Sequence, residues 1–146
     1  MGPNDAELVR VYTREIGGTI ADVTFPFDKD IEVVVEAEAG TALFDSGGQF
    51  DLRVFVRNLK ANGGKNDPIL VPLKGKSGNA DVVQTSGAFG SGWDAQATNF
   101  IFIIPKSSLG PKKEGAIMEI LACLQIGIKR PDVSIARSPL FIIHKP

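Results

Sequence analysis

The stretch Ala116–Ile128, AIMEILACLQIGI, decides the fold of this chain. It is the most continuously apolar run in the 146 residues, bracketed by Gly115 and by Lys129-Arg130-Pro131-Asp132. No solvated edge could carry so much apolar surface, so the segment must cross the middle of the protein. Read as a helix, it aligns Ile117, Ile120, Leu121, Leu124 and Ile128 in one stripe. Read as a strand, it puts Met118, Ile120, Ala122, Leu124, Ile126 and Ile128 on a wholly apolar face, leaving Ile117, Glu119, Leu121, Cys123 and Gln125 on a mixed one. Strand is the better reading. Its neighbours read as strands, and the short turn at 129–132 suits a hairpin into Ser134–His144.

Those neighbours set the class. Along 31–38, Ile31, Val33, Val35 and Ala37 lie on one side and Glu32, Val34, Glu36 and Glu38 on the other. Gln49–Leu59 repeats the pattern, with Phe50, Leu52, Val54 and Val56 inward and Asp51, Arg53, Phe55 and Arg57 outward. A period of two with one largely polar face is the habit of antiparallel sheets that cover a core on one side. Residues 5–16 fit a capped helix or an opening strand; Val9 and Val11 around Arg10 favour the strand. Ile20–Phe27 is a short extended piece broken by Pro26, and GTALFDSGG (40–48) is a loop.

Asn62-Gly63 suits a tight turn. It leads into Pro68–Leu73, an expected edge strand, because proline cannot donate to a central ladder. A short run at Asp81–Thr85 precedes a Gly-rich loop, Ser86–Trp93. Ala97–Ile104 is a strand stopped by Pro105, and Lys106–Gly115 is a polar link with room for one helical turn at 107–110.

These segments make about seven or eight short strands with turn signals roughly every ten residues. The expected fold is all-β: a single-domain antiparallel β-sandwich with Greek-key connections, its first six residues flexible or tag-derived. The pattern resembles an immunoglobulin-like or fibronectin-type-III-like sandwich. The Cys…Trp…Cys signature of true immunoglobulin domains is absent, since the chain has one Cys and its one Trp falls in a loop.

Composition narrows the function classes. Sixteen basic and 17 acidic residues give a net charge of −1, with no electrostatic footprint for nucleic acid. The longest apolar run falls short of the ~18 residues of a membrane helix, so no membrane insertion is expected. Cys123 alone can form no intramolecular disulfide, and MGPNDAELVR lacks the basic-then-apolar order of a secretory leader. Both point to a reducing, cytoplasmic setting.

Catalytic chemistry finds few parts. The one histidine, His144, is third from the end and in no fixed relation to a serine or to Cys123. Zinc would need more Cys and His than these two. Asp28 with Asp30, or Asp45 with Asp51, could meet at one end of the sandwich, but neither pair follows the spacing of an EF-hand loop. The glycines of GAFGSG lack the Lys-Ser/Thr ending of a phosphate loop. No enzyme, metal or cofactor is expected.

Two surfaces remain. In the first, strand 49–59 pairs with 116–128, which pairs with 134–144, and their outward residues Arg53, Phe55, Arg57, Ile117, Leu121 and Cys123 form an apolar strip edged by arginines. In the second, Phe89 and Trp93 in the loop 86–96 stand beside Asp94 and Gln96, the mixture with which a small ligand or carbohydrate is stacked and hydrogen-bonded. The strip ranks first. The expectation is a non-catalytic interaction or structural module whose partner is a protein, itself or another chain, with a ligand-binding module as the alternative.

Overall fold

Met118, Ile120, Ala122 and Leu124 are fully buried, Ile117, Leu121 and Cys123 are half-buried, and Gln125 is exposed. Burial with a period of two means extended backbone, and the decisive stretch is a strand over Ile117–Ile126. The computed structural model describes residues 5–60, 69–127 and 132–146. The turn at Asn62-Gly63, Pro68, Ile128 and positions 129–131 lie outside them.

In chain order the elements are β1 (Ala6–Glu15), β2 (Thr24–Pro26), β3 (Ile31–Ala39), α1 (Thr41–Asp45), β4 (Gln49–Asn58), β5 (Leu70–Val71), β6 (Leu73–Gly75), β7 (Gly78–Ala80), β8 (Val82–Phe89), β9 (Gly92–Trp93), β10 (Ala97–Ile104), β11 (Ile117–Ile126), β12 (Asp132–Arg137) and β13 (Phe141–His144). One sheet has the order β1-β3-β10-β6-β7. The other runs β2-β13-β11-β4-β8-β9, with β12 also on β11 and β5 also on β4. This is the expected all-β sandwich. Pairing is antiparallel except where β13 meets β2 and β8 meets β9.

The inward sets form one core between the sheets. Ile31, Val33 and Val35 of β3 face Leu52, Val54 and Val56 of β4 and the apolar side of β11, all fully buried. One end is filled by rings: Trp93 lies 4.9 Å from Phe89, 5.4 Å from Phe50 and 5.7 Å from Phe100, mostly edge-on. At the other side Phe25 meets Phe141 at 6.0 Å, edge to face.

Several local expectations are corrected. The loop 40–48 holds a one-turn helix, α1, whose Leu43 and Phe44 pack against the core. The edge strand of 68–73 is two pieces: β5 pairs with β4, and beyond Pro72 β6 pairs with β10 in the opposite sheet. The last segment is not continuous either, because Pro139 separates β12 from β13, both on the same edge of β11. The extended piece at 20–27 contracts to the three residues of β2.

The acidic face of β3 is not simply solvated. Val34 is fully buried on it, paired with Tyr12 on one side and Ile101 on the other. Arg10 sits 4.1 Å over the Tyr12 ring, and Arg14 donates to Glu32. That hydrogen bond, more than the charge attraction, holds the Arg14 guanidinium above its ordinary pKa.

Candidate interaction face

The pairing order places the expected strip on the outside of the larger sheet. Phe55 lies opposite Leu121, Arg53 opposite Cys123 and Arg57 opposite Glu119. Each of these residues alternates with a core residue, so the same period that builds the core turns this set outward. The neighbouring strands extend it. Val82 of β8 stands opposite Phe55, Ile135 of β12 opposite Cys123, Val133 opposite Gln125, and Ile142 of β13 opposite Ile117.

The outcome is an apolar diagonal from Val82 through Phe55, Leu121 and Cys123 to Ile135 and Val133. Its centre is half-buried by its own neighbours, whereas Val133 is 57% and Ile135 63% exposed. Val82, Val133, Ile135 and Ile142 are absent from the strip as read from sequence. The alternation VSIAR over 133–137 carries the signal for two of them: Val133 and Ile135 share a face, while Ser134 and Ala136 share the other.

Polar groups along the diagonal are tied to one another. Arg57 Nη2 reaches Glu119 Oε1 at 3.4 Å, a pair in which the carboxylate is mostly buried. Arg53 Nε meets Asp51 Oδ2 at 3.3 Å, and Gln84 Nε2 donates to Asp51 Oδ1 at 3.0 Å. Paired charges along this rim lose water at a smaller cost than free ones, although Arg57 Nε has no partner among the described residues.

The second candidate takes a different form. Ser86–Trp93 is not an open loop: β8 runs on to Phe89, and after two residues the chain loops round into β9, parallel to the end of β8. Phe89 and Trp93 point into the core, where their area is removed from water, so neither ring is offered for stacking a ligand. Trp93 Nε1 donates to the Gln96 carbonyl at 3.3 Å. Asp94 Oδ1 accepts the Gly92 amide at 3.1 Å. Asp94 closes a turn and Gln96 is exposed, while the two rings read as a stacking pair belong to the core.

The remaining chemistry-bearing groups stay apart. His144 is exposed, with Nδ1 2.8 Å from the Lys145 carbonyl oxygen. Cys123 is a half-buried free thiol on the outer face. Among the described residues no three His, Cys, Asp or Glu side chains gather where a metal could be held. Asp30 Oδ1 instead accepts the Lys106 amide at 2.7 Å. No helix among them is long and apolar enough to cross a membrane.

No protein-family model and no curated protein sequence matches the chain. Among solved structures it is similar to AggA, the major subunit of aggregative adherence fimbriae type I from Escherichia coli, with a TM-score of 0.51 and 11% identity over 96% of each chain. It also aligns with Spo0M, a sporulation control protein of Bacillus subtilis, at a TM-score of 0.42 and 13% identity, over 97% of this chain and 50% of that one. The first likeness concerns the fold, and the second is too weak to argue from.

Proposed function

We propose that this chain is a non-catalytic interaction module that associates with a second copy of itself through the outer face of β4, β11 and β12. The observation carrying this reading is the apolar diagonal Val82–Phe55–Leu121–Cys123–Ile135, crossed by four strands of one rigid sheet. Phenylalanine at the centre with arginines at the border is the composition of protein interfaces. A twofold contact needs only that one such patch meet its own image. The likeness to a fimbrial subunit is a precedent for this sandwich in an assembled structure; at 11% identity it lends the fold and nothing more.

Light scattering after size exclusion, from micromolar to millimolar chain, tests the reading. The wild-type mass should rise with concentration. Phe55→Glu and Leu121→Glu, checked by circular dichroism for an intact sheet, should shift that rise to higher concentration. A wild type that stays strictly monomeric, or folded variants that associate like it, would sink the proposal.

A further inference from the structure

Strand β12 carries an open row of main-chain groups, and we propose that this edge pairs with the same edge of a second copy, antiparallel and in a single register. The phase of the strand follows from its ladder. Ser138 donates its amide to the Ile120 carbonyl at 3.0 Å, and the pairing continues through Ala122↔Ala136, Leu124↔Ser134 and Ile126↔Asp132. Hydrogen-bonded pairs alternate along an antiparallel ladder, so residues 132, 134 and 136 bond β11. The N–H and C=O groups of Val133, Ile135 and Arg137 therefore point away from it. Among the described residues no main-chain bond joins them to any other strand.

The side chains agree with the backbone. Natural sheets blunt an open edge with lysines, prolines or inward charges. Here Val133 and Ile135, 57% and 63% exposed, are the apolar positions of the strand that a partner strand would cover. The underside is occupied: Ser134 Oγ accepts the Leu8 amide at 3.1 Å, so β1 anchors the strand from below and leaves its edge clear of main-chain pairing.

The sequence restricts the register. Centring the twofold on Ile135 sets Ile135 opposite its own copy and Val133 opposite Arg137, and every outward residue then has both a donor and an acceptor to exchange. A shift of two residues one way brings Pro139 opposite Val133; the other way brings Pro131 opposite Arg137. Counted over β12 alone, either shift keeps two of the three outward pairs of the centred register, and the third reaches past the strand to a proline with no amide hydrogen. The favoured pairing makes about six main-chain hydrogen bonds and a continuous sheet through both copies. It buries well under the ~1,200 Å² of a stable interface, so the contact is weak and depends on concentration. It rests on the function proposed above only in taking a second copy as partner; the contact is made by main-chain groups of the edge, and of the apolar face it includes only the outermost residues, Val133 and Ile135.

Amide exchange on the full chain tests it without any substitution. Between about 10 μM and about 1 mM chain, exchange at Val133, Ile135 and Arg137 should slow about tenfold, while Ser134 and Ala136, already bonded to β11, change little. Phe55→Glu should keep this protection, since its site is not on the edge. Ile135→Pro should lose it and lose the edge-driven rise in mass, because the deleted N–H is not part of the internal ladder. The proposal is overturned if exchange at the three amides does not depend on concentration. It is also overturned if Phe55→Glu abolishes the protection, which would assign it to the face, or if folded Ile135→Pro associates as the wild type does. Should Ile135→Pro fail to fold, the wild-type and Phe55→Glu exchange data decide alone.

Discussion

Ser138 stands in for a missing strand residue at Ile120. Its amide donates to the Ile120 carbonyl at 3.0 Å, and its hydroxyl accepts the Ile120 amide at 2.9 Å while donating to the Pro139 carbonyl at 2.9 Å. The side chain thus keeps the β11 ladder closed where β12 ends and β13 has not begun. Ser138→Ala leaves the Ile120 N–H buried without an acceptor, which costs about 1–3 kcal/mol. Urea denaturation should show a lower midpoint with an unchanged slope.

Trp93 should report a core and not a binding loop. It is fully buried among Phe50, Phe89 and Phe100, so its emission should be blue-shifted, resistant to iodide, and unmoved by a panel of glycans. Trp93→Ala removes the centre of that ring cluster and should cost about 3–5 kcal/mol. A solvent-like emission maximum would contradict the burial.

Gly87 is a glycine for reasons of space. A Cβ there would sit 2.7 Å from the Ser91 carbonyl oxygen and 3.3 Å from the Phe50 ring. The carbonyl is held in place because it accepts the Ala88 amide at 3.0 Å across the turn. Gly87→Ala must push backbone apart and should destabilise by about 1–3 kcal/mol. Gly47→Ala meets nothing within 4 Å but sits at φ 66°, so its smaller loss comes from backbone strain alone.

What could be read from the sequence was whatever depends on period. The inward sets of 31–37, 49–59 and 116–128 follow from alternation, and so does the outward strip, because one face of a strand implies the other. Tertiary circumstances were not legible. Nothing local in Val34 says that Tyr12 and Ile101 will cover it. Pro139 could have been taken as the break between β12 and β13, but not that both pieces would share one edge of β11. The glycines at 87, 90 and 92 signalled a loop when they mark a tight strand return, since glycine serves close approach as well as freedom. That reading offered for stacking a pair of aromatics that the core holds.

Arg57 and Glu119 link the fold's stability to its outer face. They face each other across β4 and β11, with Nη2 3.4 Å from Oε1, and the Glu119 side chain is only 12% exposed. Among the described residues Arg57 Nε is itself buried with no hydrogen-bond partner, so the pair is imperfectly satisfied. Arg57→Leu strands a mostly buried carboxylate and should cost about 1–2 kcal/mol, a figure held down by the 40% exposure of the arginine. The double variant Arg57→Leu/Glu119→Leu removes both charges and should recover most of that loss, as apolar replacements of buried pairs often do. It also widens the apolar diagonal beside Phe55 and Leu121. If that face is where copies meet, the double variant should associate at lower concentration than the wild type while melting at a similar temperature. Light scattering and a thermal melt on the same samples separate the two effects. Unchanged association in a stable double variant would count against the face as the contact.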